Sequence, residues 1–165
     1  AGTGATTLVQ GNNGDFYLGG HAGEAAAITR ATLAGSIVWQ YTFDLSPGAD
    51  RIVHLRPDGS GLLLGGAIGQ AGDERWGTLF KYDPVDNALL WSTTLPLGNN
   101  GSLRKIALNP ENGHLFFTGS LGQGNTTAGL LGEVDTGSGT LLWHRQLAQG
   151  DQAFIHAVGV GFTHV

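Results

Sequence analysis

One group of neighbouring side chains in this sequence combines charge with an aromatic ring. Asp73, Glu74, Arg75 and Trp76 follow one another at the end of a stretch rich in Gly and Ala, which we predict to be a long loop from Ala67 to Trp76. Loops of this kind often carry binding residues. We therefore take Trp76, Asp73, Glu74 and Arg75 as candidate ligand contacts. The alternative is that Trp76 fills a gap at the edge of a strand.

No other set of residues predicts catalysis or metal binding. The six His residues show no zinc-ligand spacing, and neither a Gly-x-Ser-x-Gly nucleophile motif nor a calcium-binding loop is present. The Gly-rich segment 119–124 does not open a helix, so it lacks the helix N-terminus that binds phosphate. The chain has no Cys, which excludes disulfides and thiol nucleophiles. The sequence thus predicts no catalytic residues, no metal site and no cofactor.

The composition of the 165 residues limits the classes of partner. A formal net charge of −5 argues against nucleic acid, because phosphate binding requires clustered Lys and Arg. No apolar run approaches the roughly 20 residues needed for a helix to span a membrane. The 29 Gly residues, without a three-residue period, are typical of an all-β protein with many tight turns. The absence of Met indicates a processed product or a part of a longer chain.

Short strand patterns separated by turn residues recur in groups of four. Apolar and β-branched runs alternate with Gly, Asn and Asp turns such as 11–14 and 58–61. A further group begins at 154–158, and no helical periodicity competes with this pattern. The predicted strands of the first three groups cover residues 5–10, 16–18, 26–33, 37–43, 52–55, 62–66, 78–82, 89–95, 103–108, 115–118, 129–134 and 140–147.

A tryptophan recurs at the same place in each of these three groups. Trp39, Trp91 and Trp143 are successively 52 residues apart, and a constant interval of that size indicates a repeat architecture. Four short strands in a unit of about 50 residues is the pattern of a β-propeller blade. Leucine-rich repeats are shorter, helical repeats need a different periodicity, and a β-sandwich would not repeat Trp at a fixed interval.

The segments ending in these tryptophans resemble the tryptophan-docking motif of quinoprotein-type propellers. In that motif an Asp is followed by a Thr/Ser-Gly turn and by a Trp eight positions later. Asp83 and Asp135 keep this spacing to Trp91 and Trp143, whereas Ala31 takes the position of the Asp in the first copy. The stretches 58–65 and 112–119 are also similar to the β-propeller repeat family of secreted and surface proteins.

The resemblance implies an all-β fold, a β-propeller segment of three four-stranded antiparallel blades plus the start of a fourth. We place the blades at about 5–50, 51–101 and 102–151, with an incomplete blade at 152–165. His54 and His156 fall in first strands and are expected to line the central channel or the core. The residues expected to dock neighbouring blades are Trp39, Trp91, Trp143, Asp83 and Asp135.

Two N-glycosylation sequons begin at Asn100 and Asn125. Both fall in turns that up-and-down connectivity would place at one end of the blades, together with Trp76. Attached glycans would fix a secretory compartment. We accordingly expect a secreted or cell-surface protein.

Three functions are compatible with these residues. The first is a non-catalytic scaffold or interaction module, whose partners are further propeller blades from the same longer polypeptide or from other copies. The second is a carbohydrate-binding lectin that uses the loops around Trp76. The third is a fragment of a quinone-dependent dehydrogenase, against which the absence of Cys argues, because such enzymes usually carry a vicinal disulfide. Nucleic acid and a membrane span are not expected as partners.

Overall fold

The computed structural model describes residues 2–109 and 111–150, and within them the chain folds into strands joined by short turns. The strands are β1 (Thr3–Gln10), β2 (Phe16–Ala22), β3 (Ala25–Ala31), β4 (Ile37–Phe43), β5 (Ala49–Pro57), β6 (Leu63–Ala71), β7 (Glu74–Asp83), β8 (Ala88–Gly98), β9 (Ser102–Asn109), β10 (His114–Gln123), β11 (Thr126–Asp135) and β12 (Leu141–Gly150).

These strands form three antiparallel sheets of four strands each in the described part of the chain. The first sheet is β1–β4, the second is β5–β8 and the third is β9–β12, and every strand pairs with the next one along the chain. The predicted all-β fold with three four-stranded antiparallel blades is confirmed. The predicted start of a fourth blade at 152–165 lies outside the described residues.

Each sheet repeats the same two irregularities. A bulge in its first strand falls between Ala5 and Thr7 in the first sheet and between Ile52 and His54 in the second. A second bulge directly precedes each periodic tryptophan, which then pairs with Arg30, Lys81 or Glu133 on the neighbouring strand. Because bulges fix both register and twist, residues at matching distances from them are structurally equivalent from sheet to sheet.

The apolar core lies between the sheets. One cluster, which includes Ile28, Leu55 and Phe80, fills the space between the first and second sheets. Another, which includes Leu79 and Phe117, fills the space between the second and third sheets. Side chains alternate between the two faces of a strand, so the middle sheet supplies apolar residues to both clusters. Each fully buried side chain of this size stabilises the fold by about 1.5–3 kcal/mol.

The turns alternate between two ends of the stacked sheets, as predicted. Asn12, in the β1–β2 turn, donates from its side-chain amide to the carbonyl oxygen of Gly59, in the β5–β6 turn, at 2.9 Å. At the other end, the Asn100 side-chain amide of the β8–β9 turn donates to the Gly124 carbonyl oxygen of the β10–β11 turn at 2.8 Å. We call these the Asn12 end and the Asn100 end.

The predicted loop from Ala67 to Trp76 is wrong, because β6 continues to Ala71 and β7 begins at Glu74. Only a tight turn containing Gly72, with φ of +58°, separates the two strands. The glycines that suggested a loop instead lie within the strand and permit close packing. A Cβ atom on Gly69 would lie 1.5 Å from the hydroxyl oxygen of Ser46. Glycine in a strand often marks such an approach.

The predicted end of β2 at Gly19 and Gly20 is wrong for the same reason. The strand runs on to Ala22. A Cβ atom on Gly19 would meet side chains of the second sheet, at 2.7 Å from Ile52. Glycine is therefore required here by the packing of the sheets and does not terminate the strand.

Candidate functional site

Trp91 of the second sheet contacts the β11–β12 turn of the third sheet. Its indole N–H donates to the carbonyl oxygen of Thr136 at 2.9 Å. The ring covers Gly139, where a Cβ atom would lie 2.7 Å from the indole. The hydroxyl of Thr93 also donates to the carbonyl oxygen of Gly139. The turn of one sheet thus forms a receptor for an aromatic side chain of the sheet before it.

The receiving turn is shaped by an aspartate. The carboxylate of Asp135 accepts hydrogen bonds from the Ser138 backbone N–H at 2.7 Å and from the Ser138 hydroxyl at 2.8 Å. These bonds hold the pKa of the Asp135 carboxyl below its usual value. In the second sheet the carboxylate of Asp83 likewise accepts a hydrogen bond from its own turn, from the backbone N–H of Val85 at 2.8 Å. The two Asp side chains therefore close equivalent turns.

In the first sheet the equivalent position is Thr32, and the assignment of Ala31 to it is wrong. Ala31 pairs with Ile37, as Val134 pairs with Leu141 in the third sheet. The Thr32 hydroxyl accepts the backbone N–H of Ser36 at 3.2 Å. The turn is one residue shorter than in the other sheets, which displaced the sequence alignment by one position.

Trp39 lies at the interface between the first and second sheets. It packs edge-on against Tyr82 of the second sheet, with ring centroids 6.2 Å apart, and also contacts Tyr17 and Tyr41 of its own sheet. Tyr82 is fully buried, and its hydroxyl donates to the Asn87 side chain at 3.0 Å. Burial raises the pKa of the Tyr82 hydroxyl. This interface therefore depends on edge-to-face contacts between aromatic rings.

Trp143, at the equivalent position of the third sheet, is bonded within its own sheet. Its indole N–H donates to the Glu133 carboxylate, whose other oxygen lies 2.5 Å from the His114 ring nitrogen Nδ1. The Arg145 guanidinium lies over the indole, 5.9 Å from its centroid. These contacts hold the ring on the face of the third sheet that points away from the second.

The outer face of the first sheet is apolar and exposed. Leu8 is 58% exposed, whereas its equivalents Leu55 and Ile106 in the next two sheets are 1% and 5% exposed. Leu33, in the β3–β4 turn, is 72% exposed, whereas the equivalent Thr136 is 9% exposed beneath Trp91. A shallow cavity of about 460 Å³ lies on this face, and its walls include Leu8, Phe16 and Leu18.

The outer face of the third sheet shows the same contrast. Leu147 is 41% exposed, whereas the equivalent Leu95 of the second sheet is 9% exposed against the third sheet. Leu131 is half-buried, although its equivalents Ile28 and Leu79 are fully buried. The outer faces of the first and third sheets therefore expose positions that are buried wherever two sheets pack against each other.

The four predicted ligand contacts do not form one cluster. Asp73 and Glu74 are exposed at the β6–β7 turn. Arg75 donates to the Gly101 carbonyl oxygen at 3.5 Å, on the face toward the third sheet. Trp76 follows it in the same strand and so lies on the opposite face. Arg75 and Trp76 therefore do not contribute to one surface.

Arg75 instead lines a polar cavity of about 580 Å³ at the Asn100 end. Arg51, Gln70, His21 and Asp50 are also among its lining residues. Sequence reasoning missed Arg51 and His21, because they lie on strands β5 and β2 and only the pairing of sheets brings them near Arg75. No local motif in the sequence could have indicated this.

His54 lies half-buried on β5, as the predicted core or channel position requires. Burial, with the nearby positive charges of Lys105 and Arg56, lowers the pKa of its imidazole. His156 lies outside the described residues. Among the residues that the structure describes, no group of three or more His, Cys, Asp or Glu side chains could hold a metal ion.

The two sequon residues lie in adjacent turns at the Asn100 end. Asn100 and Asn125 are both exposed, and the Asn100 amide reaches the turn that contains Asn125 through Gly124. Their third residues, Ser102 and Thr127, are buried at the start of strands.

No protein-family model matches the chain, and no curated protein matches it at a significant level. Over residues 2–109 and 111–150, no helix is long and apolar enough to span a membrane.

Proposed function

We propose that this chain is a non-catalytic interaction module of the β-propeller type, and that its first and third sheets each dock a further four-stranded sheet. The observation that supports this most strongly is the contact of Trp91 with Thr136 and Gly139. In this contact the second sheet docks on the third, and the two outer faces carry the positions equivalent to its two halves.

One half is the receptor on the first sheet. The β3–β4 turn presents Gly35 and Leu33 where the third sheet presents Gly139 and Thr136. Beside it lies the apolar surface of Leu8 and Phe16. A contiguous apolar face that is exposed in this way is typical of an interaction surface.

The other half is the donor on the third sheet. It presents the indole of Trp143 and the side chain of Leu147 at the places where Trp91 and Leu95 of the second sheet enter the next interface. We infer that the docked sheet comes from another copy of the chain, with sheets added head to tail. Sheets of the same longer polypeptide are the alternative source.

The test is the mass of the chain in solution. Sedimentation equilibrium should show association that rises with concentration and falls in a Leu8→Asp variant, because a carboxylate would be buried at the contact. Val85→Asp is the matched control, since Val85 is 82% exposed in a turn of the middle sheet. It should associate like the original chain.

A mass of one chain at every concentration would overturn docking between copies. If a longer polypeptide supplies the sheets instead, the longer chain should remain monomeric while the 165-residue chain still associates. The two sources are thus separated by one comparison.

We also propose that the protein is secreted or displayed at a cell surface, with glycan attached at Asn125 or Asn100. Both side chains are exposed in turns at the Asn100 end. Intact-mass measurement of the native protein before and after N-glycosidase treatment tests this proposal. An unchanged mass would contradict it.

A further inference from the structure

The polar cavity at the Asn100 end brings two guanidinium groups to one opening. Arg51 comes from β5 and Arg75 from β7, and both lie on the face of the second sheet toward the third. The Arg75 side chain is positioned by its Nε donating to Gln70 Oε1 at 3.2 Å. Guanidinium groups held in this way bind carboxylates and phosphates through paired N–H donors.

The only carboxylate among the lining residues is already satisfied. Asp50 is buried, and it accepts hydrogen bonds from the backbone N–H groups of Leu45 and Ser46 at 2.8 and 3.1 Å. The Ser46 hydroxyl donates to its other oxygen at 2.5 Å. Asp50 therefore stabilises the loop before β5 and does not pair with the neighbouring Arg51, whose side chain is directed to the other face.

The first strands of the three sheets carry more positive than negative charge. These strands, β1, β5 and β9, carry Arg51, Arg56, Arg104 and Lys105, and Asp50 is the only acidic residue on them. They thus hold four of the eight Lys and Arg residues of a chain whose net charge is −5. A cleft lined by one sign of charge attracts ligands of the opposite sign.

In the described part of the chain, four exposed acidic residues lie in or beside the strand connections of this end. They are Glu24, Asp44, Asp73 and Glu74, and none of them lines the cavity. A small anion inside the cavity would therefore meet Arg51 and Arg75 before it met any free carboxylate.

We propose that this cavity binds a small organic anion, with a carboxylate or phosphate group held between Arg51 and Arg75 and polar groups placed near Gln70. The volume of about 580 Å³ suits a ligand of this size. His21 lines both this cavity and the one on the outer face of the first sheet, but Arg51 and Arg75 belong to the middle sheet. Anion binding therefore does not require the assembly proposed above.

Isothermal titration with citrate and, separately, with inorganic phosphate tests the site and distinguishes the two anion types. At least one should bind, with an affinity that weakens as salt is raised. Arg51→Gln and Arg75→Gln should each weaken that binding about tenfold or more, because each removes a charge-assisted hydrogen bond. Glucose, which is neutral, should not bind.

Arg145→Gln is the matched control, since it removes the same charge from the outer face of the third sheet. Its affinity should equal that of the original chain, and circular dichroism should show all three variants folded. Absence of binding by both anions would overturn the proposal. An equal loss in Arg145→Gln would also overturn it, because binding would then reflect overall charge.

Discussion

Trp91 links two sheets through both its ring and its N–H group. Replacing Trp91 by Ala should lower the free energy of unfolding by about 3–5 kcal/mol, as large aromatic truncations in cores do. The loss comes from the cavity over Gly139 and from the lost hydrogen bond to the Thr136 carbonyl oxygen, which keeps only the Lys81 ammonium as a donor, at 3.4 Å. Urea denaturation followed by circular dichroism measures it.

Trp143→Ala is the control, because this ring has the same place in its sheet but contacts no further sheet among the described residues. At low protein concentration, where copies do not associate, we expect Trp143→Ala to lower the free energy of unfolding by less than half as much as Trp91→Ala. Equal losses for the two variants would show that the contact between sheets contributes little to stability.

His54 should make stability depend on pH. Its folded-state pKa is lowered, chiefly by burial and further by Lys105 and Arg56. As pH falls through about 6.5, the unfolded chain binds a proton at His54 that the folded chain does not, so the folded state loses stability until its own lower pKa is passed. Melting temperatures between pH 7.5 and 5 should therefore fall less steeply in His54→Gln.

His144→Gln provides the comparison, since His144 is exposed on the outer strand β12. Its melting temperature should follow that of the original chain over the same pH range. If His54→Gln shows an unchanged slope, the assigned burial of His54 is wrong.

At the residue scale, the sequence predicted the places of the periodic tryptophans but not their partners. A constant interval of 52 residues is visible in the chain itself. The bond from Trp91 to the Thr136 carbonyl oxygen joins residues from different sheets, and backbone acceptors leave no mark in a sequence. Thr32 was missed because its shorter turn shifted the alignment by one residue.

At the scale of the elements, the β11–β12 turn and the β3–β4 turn should differ in how well they tolerate a side chain, because a tryptophan ring covers only the first. Gly139 and Gly35 are equivalent turn residues with φ of +74° and +83°. Both Gly→Ala variants should lose about 1–2 kcal/mol through left-handed backbone strain. Gly139→Ala should lose roughly 1–3 kcal/mol more, because its methyl group would displace Trp91.

Thermal or urea unfolding of the two variants gives this difference directly. Around Gly35 no atom lies within 4 Å of the added methyl, so it reports backbone strain alone. Equal losses would mean that the indole moves aside without cost, and the turn would then not be a fitted receptor.

The strands were predicted with their order but with ends that were too early in several places. Apolar and β-branched runs between turn residues identified β5, β7 and β9. Consecutive residues of β7 are buried because the middle sheet is covered on both faces. Glycines inside β2 and β6 were taken as ends of strands or as loops. These positions are glycine because other segments of the chain approach them closely. That approach depends on tertiary packing and cannot be predicted from local sequence.

At the scale of the whole molecule, stacking explains both what is buried and what is exposed. The middle sheet buries one face against the first sheet and the other against the third. The outer faces of the first and third sheets have no such cover among the described residues. The repeat predicted the stacked sheets. The cavity between Arg51 and Arg75 could not be predicted, since it depends on how β5 and β7 are placed in space.

Head-to-tail docking is the central claim, and mixing two variants tests it most directly. Leu8→Asp blocks the outer face of the first sheet, and Leu147→Asp blocks that of the third, both at exposed positions that should not disturb folding. Each variant alone retains one intact face and should sediment with the mass of one chain. An equimolar mixture should form a species with the mass of two chains, because the intact third sheet of one variant can dock on the intact first sheet of the other. A mixture that sediments with the mass of one chain at every concentration would contradict the account.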